Sequence, residues 1–109
     1  VFKRGSIVSI SVQGDFGKPK PALLIQSDMF NEAHATLTVL LISSELIDAP
    51  LFRLTIEPDQ SNGLTQQSQI QVDKAMTVRR EKVGQVIGRV DDAMMVQVNR
   101  ALAIWIGLA

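Results

Sequence analysis

VGQVIGRVDDAMMVQVNRALAIW, residues 83–105, changes its period midway, and that change decides the fold class. Residues 83–90 read as a strand, with Gly84 and Gly88 marking bends. Beyond them Met94, Val98, Ala101, Leu102 and Trp105 fall at helical spacing, with Asp91 or Asp92 as N-cap and Gly107 as the stop. Everything upstream is strand or turn. Residues 6–12 set Val8, Ile10 and Val12 against Ser9 and Ser11. Residues 22–25 and 37–42 are short apolar runs of the kind found in the middle of a sheet. Residues 51–57 alternate Phe52, Leu54 and Ile56 with Arg53, Thr55 and Glu57, and residues 69–73 alternate again with Ile70 and Val72 inward. Residues 14–19 and 58–63 carry turn chemistry, residues 27–35 a loop with one helical turn, and residues 77–82 a turn or short helix. A strand-rich body ending in one helix predicts an α+β, mainly β protein, a small twisted barrel or sheet with the helix packed on it.

The chain has 109 residues, 46% hydrophobic and 20% charged, which describes one ordinary soluble globular domain over residues 1–109. The absence of cysteine excludes disulfides, thiolate metal sites and a cysteine nucleophile. His34 is the one histidine, so a histidine pair is excluded, and its loop position reads as surface. The opening Val1-Phe2-Lys3-Arg4 has no charged-then-apolar leader and no apolar run reaches membrane-spanning length, so the expectation is a cytoplasmic protein without membrane contact. Zero net charge argues against indiscriminate nucleic-acid binding. The charge is nevertheless unevenly spread. Lys3, Arg4, Lys18 and Lys20 oppose only Asp15 in residues 1–20, and residues 73–89 are basic again. Residues 28–59 are acidic, with Arg53 the lone cation among six carboxylates. If the two basic blocks meet in space they form a patch that suits a short single strand; otherwise they are scattered, solvated charge.

Several segments, in order, resemble the MazF/PemK (Kid) family of toxins. Lys3-Arg4-Gly5-Ser6-Ile7-Val8 resembles the family's "RGDIV" opening, and Gly17-Lys18-Pro19-Lys20-Pro21-Ala22-Leu23-Leu24-Ile25 its "GK-x-RPALVI" segment. Leu41-Ile42-Ser43-Ser44 resembles its "xITS" strand end. Residues 68–78, with Ser68, Val72, Asp73, Thr77 and Val78, resemble "S-x-V-x-x-D-Q-x-R-T-V", and residues 86–90 and 99–108 its closing stretch. The resemblance implies an SH3-like small β-barrel of antiparallel strands with a C-terminal α-helix, the CcdB/PemK-like fold, working as a homodimer. It implies an endoribonuclease that cuts single-stranded RNA without a metal or other cofactor, leaving a 2′,3′-cyclic phosphate and a 5′-hydroxyl. It also implies a cognate antitoxin, partly disordered and acidic, as partner.

Such cleavage needs help removing the 2′ proton, neutralising the phosphorane and protonating the leaving oxygen, which preplaced cations and hydrogen-bond donors can supply. The family's catalytic arginine falls at Lys20 and its threonine at Ser43. Charge and hydroxyl are both kept, although lysine gives up the bidentate fork. The plainer readings are a solvated loop lysine and a hydroxyl that satisfies backbone at a strand end. Asp15, Asp73 and Gln71 are further candidates for catalysis or substrate binding. Loop aspartates mostly stabilise turns, and Gln71 stands where Kid-like members carry arginine. Phe16, Lys18, Ser44 and Lys74 are candidates for RNA binding, Phe16 by stacking on a base or, equally, by plugging the barrel end. Trp105 and the helix methionines read as core or dimer packing. Two other functions compete: a gyrase poison like CcdB, suggested by Trp105-Ile106-Gly107, and an inactive RNA- or antitoxin-binding module, suggested by the lost arginines.

Overall fold

The computed structural model describes residues 2–12 and 18–109. Asp15 and Phe16 lie outside the described residues. Six strands, β1 (Ser6–Ile10), β2 (Lys20–Leu24), β3 (Thr36–Ser43), β4 (Arg53–Ile56), β5 (Ser68–Arg79) and β6 (Val83–Arg89), form one antiparallel sheet in the order β4-β5-β3-β2-β1-β6. A short α1 (Asp28–Asn31) sits between β2 and β3, and α2 (Asp92–Trp105) closes the chain.

The central strands are buried on both faces, as their continuous apolar runs require. Neighbouring residues feed two cores. Ile7, Leu23, Leu40, Ile42, Ile70 and Val72 join Val98 and Ala101 of α2 in one. Val8, Ile10, Ala22, Leu24, Leu37 and Val39 form the other, on the opposite face. Phe52, Leu54 and Ile56 turn toward the helix-side core, as their alternation predicts. Burying each such side chain stabilises the fold by roughly 1.5–3 kcal/mol before conformational entropy is counted.

Strand β5 runs further than expected, through residues 77–79, and only residues 80–82 form a 3₁₀ turn. Its partner explains the difference. Leu40 pairs with Ala75 and Ile42 with Ile70, so two steps along β3 answer five along β5. The surplus bulges out and bends β5 sharply, and its first half carries β4.

Of the barrel or sheet that the strand pattern allowed, the structure is a sheet: it is open, not the closed barrel that the family resemblance implied, since β4 and β6 are its two edges and do not pair. The β4–β5 loop bridges them instead. Arg89 donates its backbone N–H to the Ser61 carbonyl at 2.9 Å. A Cβ on Gly88 would lie 2.3 Å from the Asn62 carbonyl, so a side chain there would push the loop off the edge strand. This covering leaves β6 poorly available to stray strands.

Helix α2 begins where Asp91 accepts the Met94 N–H at 2.8 Å. It ends with Gly107 at φ +82, the Leu108 N–H reaching the Ala103 carbonyl at 2.7 Å. Arg4 ties the chain start to this helix: Nε donates to the Ile25 carbonyl at 2.7 Å and Nη2 to Asn99 Oδ1 at 2.8 Å. No helix among the described residues is long and apolar enough to cross a membrane.

Candidate functional site

Strands β2 and β3 pair antiparallel, with Ala22 opposite Leu41 and Leu24 opposite Val39. Lys20 and Ser43 lie just beyond the Ala22–Leu41 pair, at the same end of the two strands, and Ser43 pairs in turn with Gln69 of β5. Two candidates separated in the sequence thus meet at one end of the sheet, where they line a cavity of about 290 Å³. Ser44 joins them from the end of β3, and Thr65, Gln66 and Ser68 come from the β4–β5 loop and the start of β5. Pro21, Ile42 and Leu64 supply apolar wall.

The Ser43 hydroxyl accepts the Glu45 N–H at 3.0 Å, which engages a lone pair and leaves the proton available as a donor. The turn carrying that N–H is held from below. Gln69, buried, accepts the Ile47 N–H at 3.0 Å through Oε1 and donates Nε2 to the Ile47 carbonyl at 2.9 Å. Both bonds sit where losing one would strand a buried polar group, a cost of about 1–3 kcal/mol. Ser43 is therefore positioned through a chain of bonds, Gln69 to Ile47 and Glu45 to Ser43. Gln69 was not singled out from the sequence. Nothing distinguishes it there from Gln66 or Gln67; its burial, its bonds to Ile47 and its pairing with Ser43 do.

Lys18 is exposed two residues ahead of Lys20 and does not line the cavity. Gln71, Asp73 and Lys74 do not line it either. Asp73 is engaged elsewhere: its two oxygens take Nε and Nη2 of Arg53 at 2.7 and 3.0 Å. Both side chains are nearly buried, 10% and 13% exposed for Arg53 and Asp73. The guanidinium bond holds the Asp73 carboxyl below the usual carboxylate range, against the opposing pull of burial. Gln71 pairs with Arg53 across β4 and β5, so this cluster lies at the bend of β5. His34 is exposed, its Nδ1 within 3.3 Å of the Thr36 N–H, as its loop position suggested. Met94 and Met95 pack on the helix-side core, whereas Trp105 is half exposed and tilts against Phe52 with ring centroids 5.4 Å apart.

A cation and a hydroxyl lining one cavity, beside neutral donors and acceptors, suit a phosphodiester whose charge grows during reaction. Comparison with known proteins agrees. The family model for PemK-like, MazF-like toxins of type II toxin–antitoxin systems matches residues 3–106. The chain is 39% identical over 109 residues to a probable endoribonuclease MazF of Mycolicibacterium smegmatis, covering 99% of each. It is 29% identical over 113 residues to the endoribonuclease EndoA of Bacillus subtilis, covering 99% of this chain and 97% of that one. Among solved structures, an endoribonuclease from Mycobacterial species in complex with its cognate antitoxin superposes with TM-score 0.84 at 22% identity, covering 100% of this chain and 98% of that one.

Proposed function

The chain belongs to the PemK/MazF family, an endoribonuclease toxin of a type II toxin–antitoxin system, and from that premise we propose that it cuts single-stranded RNA without a metal, using Lys20 and Ser43. The observation that supports this reading is the cavity at the end of β2 and β3, which Lys20 and Ser43 both line. The ribose 2′-hydroxyl gives up its proton to water as its oxygen attacks the adjacent phosphorus, the bond to the 5′-oxygen breaks and that oxygen takes a proton back from water, so the products are a 2′,3′-cyclic phosphate and a 5′-hydroxyl. Lys20 neutralises the nonbridging oxygens as charge builds on them. The Ser43 hydroxyl donates to the same phosphorane, its lone pair already engaged by Glu45. Asp73 serves the fold, because its carboxylate is committed to Arg53. Lys18, exposed at the mouth of β2, holds the phosphate backbone of the incoming strand.

The protein works as a homodimer in the cytoplasm, restrained by an antitoxin. The relative from Mycobacterial species is seen in complex with its cognate antitoxin. The exposed Ile104, Trp105, Ile106 and Leu108 at the end of α2 are the apolar surface available for a protein contact.

The test is incubation of the purified protein with a long single-stranded RNA in EDTA, followed by mapping of the new ends. Discrete cuts bearing 2′,3′-cyclic phosphate and 5′-hydroxyl are expected. Intact RNA, or cuts that need added metal, would sink the mechanism.

A further inference from the structure

Asn62 is buried in the β4–β5 loop and spends its amide on the loop's own backbone. Its Oδ1 accepts two N–H groups, from Asp59 at 3.1 Å and from Leu64 at 3.0 Å, and its Nδ2 donates to the Glu57 carbonyl at 2.8 Å. An amide suits that pattern, since a carboxylate accepts without donating and an alanine does neither. The loop is also braced from outside. Gly63, at φ +70, lies so close to β6 that a Cβ would come within 2.1 Å of the Ile87 carbonyl. The stretch from Glu57 to Leu64 is therefore held in one shape.

That shape is passed on to the cavity at the end of β2 and β3. Leu64, Thr65 and Gln66 form its loop-side wall. The Ser68 hydroxyl holds the far end of this wall, by donating to the Gln66 carbonyl at 2.9 Å, and Asn62 holds the near end through the Leu64 N–H. Ser68 lines the cavity, whereas Asn62 lines a separate one of about 490 Å³, with Asp59, Ser61 and Arg89. We propose that Asn62 is a positioning residue of the ribonuclease: without touching the RNA, it sets where the wall of residues 64–66 stands against it. This rests on the ribonuclease reading above. Lys20 and Ser43 are carried by β2 and β3, which pair with each other and not with the loop. A displaced wall therefore weakens the hold on the RNA equally before and during reaction and leaves the chemical step in place.

Steady-state cleavage of a single-stranded oligonucleotide spanning one mapped cut, at a temperature where every variant is folded, tests the proposal with Asn62→Ala and Asn62→Asp. Asn62→Ala loses all three side-chain bonds and should raise KM about tenfold, with kcat within about twofold of wild type. Asn62→Asp keeps an acceptor for both N–H groups and loses the donation to Glu57. It should bring KM back to within about threefold of wild type, even though its buried carboxylate lowers Tm at least as far as Asn62→Ala does. A merely structural role would leave KM unmoved in the folded variants or make it follow Tm. Unchanged KM in Asn62→Ala, or an equal rise in both variants, therefore overturns the proposal and leaves the ribonuclease reading standing. Hydrogen exchange on the wild type needs no variant to fold: the Leu64 amide should exchange about 10²-fold or more below the rate of an unstructured chain, and exchange at the unprotected rate also overturns the proposal. A wild type that leaves RNA uncut overturns both readings.

Discussion

Two polar clusters lie along β5 and its neighbours, and they spend their hydrogen bonds in opposite ways. At the bend of β5, Arg53 and Asp73 satisfy each other through two bonds while nearly buried, and Arg53 also lies over the Phe52 ring at 5.9 Å. At the end of β2 and β3, Lys20 and Ser43 line a cavity in which the side chains of Ser44, Thr65 and Gln66 have no hydrogen-bond partner among the described residues, while Ser68 bonds the Gln66 carbonyl. Both clusters look catalytic in the sequence, since each offers ionisable or hydroxyl groups at family positions. The difference is where the valence is left over. A charge closed on its partner fixes a corner of the sheet; groups held in place with donors to spare can meet a transition state.

Removing the cation should therefore cost most. Lys20→Ala is expected to lower kcat/KM on a fluorogenic single-stranded RNA by about 10³-fold, and Ser43→Ala by about 10²-fold. Lys20→Arg and Ser43→Thr should recover most of each loss, because charge and hydroxyl return. Melting curves of the four variants should stay near wild type, since the Lys20 side chain is exposed and Ser43 sits at a strand end. If Asp73→Asn lost more activity than Lys20→Ala at equal folded fraction, the assignment of the two clusters would be reversed.

The bend should respond in stability instead. Asp73→Asn breaks a nearly buried ion pair, at a cost of about 3 kcal/mol, or roughly 10 °C in Tm for a domain of this size. Because the folded-state pKa of Asp73 is lowered, the unfolded chain binds the extra proton. The pair's contribution is complete above about pH 4 and is lost as pH falls through the folded value. The exposed Asp28, held down by the Arg4 backbone N–H, adds to the same acid limb. Urea unfolding from pH 2 to 7 should show stability falling on the acid side, less steeply in Asp73→Asn than in wild type. Equal slopes would mean the pair contributes nothing.

How much of this could be read from residues alone depends on how local each cause is. Helix α2, its Asp91 cap and its Gly107 stop were legible because period and capping act within a few residues. The meeting of Lys20 with Ser43 came through family resemblance; alternation identifies strands but not which partner each one takes. The extension of β5 past Asp73 was hidden, because Lys74-Ala75-Met76-Thr77 has no clear alternation and is held extended by pairing with β3. Openness of the sheet was hidden for a similar reason, since the Asn62–Gly63 turn that fills the gap lies far in sequence from the edge it covers. Asp73 looked available because its partner Arg53 is twenty residues away. Gln69 gave no signal at all, being an uncharged residue in a glutamine-rich stretch that differs from its neighbours by burial and partner.

The smallest effect separates the two clusters electrostatically. Lys18 and Lys74 are both exposed, one leading into the cavity strand and the other following Asp73 on the bulged part of β5. Binding of an uncleavable RNA, blocked by a 2′-O-methyl group at the cut, can be followed by fluorescence anisotropy from 50 to 300 mM salt. Each phosphate neutralised by a protein cation contributes about 0.7 to the slope of log K against log salt for a single strand, through the counterions it releases. Lys18→Ala should lower the wild-type slope by about that amount and weaken binding a few-fold, whereas Lys74→Ala should change the slope by less than about 0.2. Equal losses from both would mean that the strand runs over the Arg53–Asp73 corner as well as the cavity, so that the bend, closed as its ion pair is, would still belong to the RNA path.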